Sequence, residues 1–411
     1  MKNDLWTRDF TLMTVATIMG AAGAIAGNFA LSFLVYDETG STLASALIIA
    51  INFVPGFVVP LVASPFMDAL PRKPFLVAGD AVNGVLYLLM GLYLNSRGFT
   101  YTLYLLFSLL LSSLSAFDQL AYNSLFPKLI PPGCMDKGYT VSSMVYPVMQ
   151  VVMAPVAALL MDLIGVGNIL LLQGGLSIAA ALTESRIRTE EERRAYRRFS
   201  LRGYFADLKE AADYLRQERG MLNIFAYMAV TNGVASGYAP IFVAFFSSTP
   251  GLSAAMYSLF AVAEFAGRTL GGVLRYATKM PKEKRFGFAF AVYQVYETMD
   301  MLLLWLPYPL MLANRAIAGF LGINSATLRL AAVQSTLPDR LRARVNAFES
   351  VLYSAAFSVL SLAVGALGEV MDLRLCVTLC AFASLIICWM TIWRRRREIR
   401  AMYENAADWT A

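Results

Sequence analysis

Long apolar stretches follow one another down this chain, and nearly every positive charge falls in alternate gaps between them. A helix needs roughly 20 apolar residues to cross the hydrocarbon core of a bilayer, and about twelve stretches meet that length. They are residues 10–36, 43–67, 75–94, 101–126, 139–161, 168–182, 221–246, 252–277, 286–306, 309–333, 345–370 and 375–393. Hydrocarbon cannot satisfy backbone N–H and C=O groups, and a barrel would show short alternating strands. The expectation is therefore an all-α membrane protein with twelve transmembrane helices.

Arg72 and Lys73, Lys128 and Lys137, the cluster from Arg186 to Arg219, Lys279 to Arg285, Arg340 to Arg344 and the tail from Arg394 to Arg400 all fall on one side. The opposite gaps hold only Arg97 and Arg374, while Arg268 and Arg315 lie deeper within spans. Basic loops mark the cytoplasmic side. Both termini are thus expected in the cytoplasm, in a multi-pass protein of the cell membrane. Only 15% of the chain is charged, where a soluble protein carries about a quarter. The net charge of +6 then reads as topology and lipid contact, and no nucleic-acid partner is expected. The first stretch is too long for a cleaved signal and reads as a span.

The chain has no histidine, and Cys134, Cys376, Cys380 and Cys388 form no metal-ligand pattern. No Gly-x-x-x-x-Gly-Lys-Ser/Thr loop is present to hold a nucleotide. No cofactor, metal site or catalytic constellation is expected, which argues against an enzyme.

Three landmarks recur at a shift of 210 or 211 residues. Leu70-Pro71-Arg72-Lys73 matches Met280-Pro281-Lys282-Glu283, Ser124-Leu125-Phe126-Pro127 matches Ser335-Thr336-Leu337-Pro338, and Met161-Asp162-Leu163 matches Met371-Asp372-Leu373. Together they align two six-helix halves, 1–184 and 220–394, in parallel repeat around a central cavity. Residues 185–219 form a cytoplasmic connector. Its Leu201, Tyr204, Phe205, Leu208, Ala212 and Leu215 fall at helical spacing, which predicts an amphipathic helix on the membrane surface. Residues 395–411 form a basic cytoplasmic tail.

This organisation resembles the major facilitator superfamily. Asp68-Ala69-Leu70-Pro71-Arg72-Lys73 is similar to that family's loop between spans two and three, and Asp80 fits early in span three. Phe199-Ser200-Leu201-Arg202 through Tyr214-Leu215-Arg216, and Leu337-Pro338-Asp339-Arg340-Leu341-Arg342-Ala343-Arg344-Val345, resemble the macrolide-efflux-like branch of drug and siderophore exporters. Span five departs from the proton-antiporter pattern, with Met153-Ala154-Pro155-Val156-Ala157-Ala158 in place of a glycine-rich signature. The resemblance implies gating roles for Asp68, Arg72, Lys73 and Asp80. It also sets spans four and ten beside the cavity, where Asp118 and its counterpart Arg329 would form a gate.

A charge at the bilayer centre costs about 2.5–3.5 kcal/mol on insertion scales, so intramembrane charges are candidates for function. Glu264 and Arg268 lie one turn apart on a shared face. They are candidates for substrate or proton binding, equally readable as a structural ion pair. Asp118 and Gln119 are further candidates, with Asn123 extending their polar surface. Asn232 and Asn324 mark possible cavity helices, although a lone asparagine is more often glue between helices. Glu297, Asp300 and Arg315 are expected as a local cluster, and Glu349 as a partner of Arg344.

The leading expectation is a secondary transporter exporting an amphipathic, drug-like or siderophore-like small molecule by alternating access, with protons as a coupling ion. Nutrient uptake and a non-transporting membrane sensor are the alternatives.

Overall fold

A computed structural model describes residues 5–69, 72–131, 134–188, 201–278 and 280–405. Among these residues there is no strand. The helices are α1 (Arg8–Thr39), α2 (Thr42–Ala69), α3 (Arg72–Arg97), α4 (Tyr101–Leu129), α5 (Met135–Ser185), α6 (Leu201–Gln217) and α7 (Arg219–Ser248). They continue with α8 (Ala254–Ala277), α9 (Lys282–Leu302), α10 (Tyr308–Thr336), α11 (Asp339–Val370), α12 (Leu373–Cys388) and α13 (Arg396–Asn405). A π-helical turn, Trp389–Trp393, follows α12.

Among the described residues eight helices are long and apolar enough to cross a membrane: α1, α3, α4, α5, α7, α10, α11, and α12 with its π turn. The expected spans in α8 and α9 are continuous helices that carry Glu264 and Arg268, and Glu297 and Asp300, and fall short of that apolarity. Many large apolar side chains point outward, with Leu163 77% and Val370 78% exposed.

The sequence predicts two spans across 139–182, and the structure joins them in α5. The joint is Gly165, at φ 76°. Only glycine takes that backbone without strain, so the chain bends there without a loop. The matching place in the second half is built differently. Asp372 caps α12, its carboxylate accepting from the N–H groups of Arg374 (2.9 Å) and Leu375 (3.3 Å).

The chain clusters into two compact units. The first comprises Met1–Ser41, Ile51–Phe199 and Phe246–Leu259; the second comprises Thr42–Ala50, Ser200–Phe245 and Phe260–Ala411. Each unit therefore borrows a short segment from the other half of the sequence. In the first, Tyr257 lies against Phe29 and Phe33 of α1, with ring centroids 6.0 and 5.7 Å apart. In the second, the beginning of α2 packs on α11.

Within the first unit α1 and α3 both pack on α5. The approach of α3 to α5 is backbone to backbone. A Cβ on Gly84 would lie 2.9 Å from the carbonyl oxygen of Gly174, and one on Gly91 would lie 2.7 Å from that of Gly167. Small residues permit such contact, which drives helix association where hydrocarbon supplies no hydrophobic force. Gly84→Leu is expected to push the helices apart and cost about 1–3 kcal/mol. Gly175→Ala, which meets nothing within 4 Å, serves as control. Equal melting temperatures for the two variants in detergent would refute the close-contact account.

In the second unit, α9 packs on α10 and α12, α6 packs on α11, and α13 folds back onto α9 and α10. Its core includes Leu215, Phe225, Tyr227, Phe286, Leu341, Ile399 and Tyr403. The connector is helical, as its spacing predicts, but the residues it buries are Ala211 and Leu215, while Phe205 remains 61% exposed. Arg344 holds it in place, pairing with Asp207 (2.8 Å) and with Glu210. Arg344 is therefore taken by α6, and Glu349 stands instead beside Tyr353 and Arg329. The four cysteines are free and buried.

Candidate functional site

In the first unit the polar residues gather where α3, α4 and the end of α5 meet. Asp118 of α4 accepts from Asn83 Nδ2 of α3 at 3.1 Å. Its carboxylate occupies the notch left by Gly79, where a Cβ would collide with it. Asp80 and Glu184 carry the other carboxylates near it. Glu184 is 4% exposed and its Oε2 has no hydrogen-bond partner. Glu184 closes the first half as the sequence divides it, next to the charged connector, and is not among the candidates there. Nothing in its local sequence signals burial, which arises only because α5 ends against α3 and α4.

The basic residues of the same unit are also placed. Arg72 is buried at the start of α3. Lys73 Nζ donates to the carbonyl oxygen of Ser185 at 2.8 Å, at the end of α5, where a cation complements the helix dipole. Asp68 lies in the last turn of α2, and its side chain falls outside the described residues. Gln119 Nε2 donates to Asn123 Oδ1 at 2.9 Å on the exposed side of α4.

In the second unit Glu264 and Arg268 form an ion pair along α8, with Arg268 Nη2 3.0 Å from Glu264 Oε1. The pair is reachable: the Arg268 side chain is 57% exposed and that of Glu264 34%. Close packing of α8 on α10 supports it. A Cβ on Gly271 would lie 2.6 Å from the carbonyl oxygen of Phe320, and Cβ atoms on Gly267 and Gly319 would strike the backbone of Ala316 and Glu264.

Asn324 donates to the carbonyl oxygens of Phe320 (2.8 Å) and Gly271 (3.2 Å), joining α10 to α8. Asn232 donates to Met228 O of its own helix at 2.7 Å. Both amides thus spend donors on backbone. Arg329 lies among Tyr293, Tyr353 and Glu349.

Asp300 of α9 pairs with Arg315 of α10, both almost wholly buried. Arg315 also donates to Asn314 Oδ1 at 2.9 Å. Glu297, one turn before Asp300, is 2% exposed and accepts from Tyr227 Oη (3.1 Å) and Thr231 Oγ1 (2.6 Å) of α7.

A further contact joins α2 to α11. Glu369 Oε1 accepts from the Leu43 N–H at 2.9 Å and from Thr42 Oγ1 at 3.1 Å. The single Thr42 hydroxyl proton is shared between that carboxylate and Gly365 O, at 2.8 Å. A carboxylate from one helix thereby caps the N-terminus of the other, satisfying an N–H that α2 leaves open.

Among the described residues, several helices long and apolar enough to cross a membrane point to a multi-pass membrane protein, and the comparisons with known proteins place it. The profile of the Major Facilitator Superfamily matches residues 11–295, and the chain belongs to that family. It is a transporter of small molecules and not an enzyme. Three solved structures share the fold. A bacterial homologue of the human lysosomal transporter Spinster, inward-facing and unoccupied, is 14% identical, with 97% of this chain and 94% of that chain covered and a TM-score of 0.63. The POT family transporter PepTSo is 10% identical, with coverage of 96% and 98% and a TM-score of 0.71. The nucleoside transporter NupG is 10% identical, with coverage of 93% and 98% and a TM-score of 0.69. No curated protein matches the sequence.

Proposed function

We propose that this protein is a secondary transporter of the cell membrane that exports an amphipathic small molecule by alternating access. Twelve spans form two six-helix halves, and both termini lie in the cytoplasm. Basic residues concentrated in alternate loops support that orientation. Resemblance to the macrolide-efflux-like branch supports export and a drug-like or siderophore-like substrate.

The observation that carries the reading is the Glu264–Arg268 pair. More than half of the Arg268 side chain is open, in the interior of a helix assigned to the membrane. Exposure of such a charge to hydrocarbon would cost about 2.5–3.5 kcal/mol. It therefore faces a water-filled cavity, where it meets substrate. One carboxylate and one guanidinium offer both an acceptor and a donor fork to a zwitterionic or cationic ligand. Asp118 and Gln119 are assigned to the same task from the first half. Asn232 and Asn324 serve as positioning residues, because their amides hold backbone.

Asp68, Arg72, Lys73, Asp80 and Arg329 are assigned to the cytoplasmic gate. The place of Arg72 and Lys73 in a basic loop supports this. The Thr42–Glu369 contact is assigned to the opposite, outer gate. Lipid surrounds the exposed apolar faces.

The test is flux in proteoliposomes across a compound panel under an imposed pH gradient. Glu264→Gln is expected to reduce flux roughly tenfold to a hundredfold, the cost of losing one charge-assisted contact, while insertion stays normal. Equal accumulation of every compound in cells with and without the protein would overturn export. Unchanged flux after an ionophore collapses the gradient would remove proton coupling.

A further inference from the structure

The second unit buries two carboxylates beside one guanidinium. Asp300 takes Arg315 through Nη2, which also donates to Asn314 Oδ1, and the buried Nε of that guanidinium has no hydrogen-bond partner. Glu297 is left over. Among the described residues no Lys or Arg forms an ion pair with it. Its Oε1 has two hydroxyl donors, Tyr227 and Thr231. Hydroxyls ease a buried charge without cancelling it, and an uncompensated carboxylate in a low-dielectric interior is expensive.

A second polar group aims at the same place. Tyr238 is one of three residues, with Tyr227 and Thr231, on a single face of α7. It is 4% exposed and its hydroxyl has no hydrogen-bond partner. Asp300 and Glu297 are the carboxylates beside it. The other titratable or charged groups around this nest are Tyr293 and Tyr296 of α9, Glu264 and Arg268 from α8, Arg315 from α10, and Cys376, Cys380 and Cys388 from α12. The two guanidiniums are each taken by another carboxylate, Arg315 by Asp300 and Arg268 by Glu264.

We propose that Glu297 is a proton-binding site, loaded and unloaded beside the α7 hydroxyls. The step is simple in its balance. One proton from water adds to a carboxylate oxygen to give the neutral acid, and its departure restores the anion held by Tyr227 and Thr231. No other bond changes. Such a site supplies the coupling ion to the proposed transporter, and that role rests on the transport reading; the binding of the proton does not.

The test needs no substrate. Infrared difference spectra of the reconstituted protein are recorded between acid and alkaline buffer. The wild type is expected to show a carboxylic-acid C=O band that disappears on alkalinisation. Glu297→Gln, nearly equal in shape, is expected to lose that band, and Glu264→Gln to keep it. Thr231→Val is expected to move the pH at which the band disappears, and Ser236→Ala to leave it in place. These last two keep the proposal testable if Glu297→Gln does not fold. A band unchanged in Glu297→Gln, or unmoved in Thr231→Val, overturns the assignment. A protein that carries no compound in the flux assay yet shows the Glu297 band would sink the transport reading alone.

Discussion

Flux is expected to fall to background when Thr42→Cys and Gly368→Cys are joined by a disulfide, and to return on reduction. A Cβ at Gly368 lies 3.3 Å from the Thr42 Cβ, close to the 3.5–4.5 Å that a disulfide spans. The end of the Ile241 side chain must give way to it. The native cysteines are buried, so the new pair dominates oxidation. In the proposed alternating-access cycle the bond replaces a contact that has to break, which makes the effect large. The native contact is weak by comparison: a cap of this kind contributes about 0.5–2 kcal/mol. Glu369→Gln should therefore shift the balance between states without stopping transport. A cross-linked protein that transports at the wild-type rate would show that α2 and α11 stay together throughout the cycle.

Arg315→Met is expected to cost about 3–5 kcal/mol of stability, because it strands the Asp300 carboxylate in a dry interior. Asp300→Asn should cost a similar amount by stranding the guanidinium. The double variant is expected to recover most of the loss, since replacing both members of a buried pair is often near neutral. Thermal melts of the four proteins in detergent form a double-mutant cycle. Losses that simply add would mean that the two side chains do not depend on each other. The Glu264–Arg268 pair offers the contrast. It is largely exposed, and exposed pairs contribute roughly 0–1 kcal/mol. Its removal should affect flux far more than melting.

Parts of this site are legible in the sequence because they are local. Glu264 and Arg268 pair along one helix, and a spacing of four residues is enough to bring them together. The apolar period of the connector likewise predicts a helix. Its buried face is another matter, since Ala211 and Leu215 go inward only because α11 presents Arg344 to Asp207 and Glu210. The expected Arg344–Glu349 pair fails for the same reason. Glu184 has the composition of a solvated segment, yet it is buried by helices that are distant in sequence. Glu369 drew no attention, because its partner lies more than 300 residues away. α13 has the composition of a basic tail, yet its Ile399, Met402 and Tyr403 find a surface on α9 and α10. Tyr403 ends 3.0 Å from the Tyr293 hydroxyl.

Read alone, the chain determined its solvent and its secondary structure. Stretches near the thickness of hydrocarbon, with their charges gathered in alternate gaps, permit little besides helices in a bilayer, because unpaired backbone is intolerable there. That is a property of segments, and segments are written in order. Which charge keeps a partner is a property of the assembled helices. Tertiary structure decided that Arg315 goes to Asp300, that Glu297 receives only hydroxyls, and that Glu369 caps α2. Ion pairs and caps act over a few ångströms, and only packing decides which distant residues come that close.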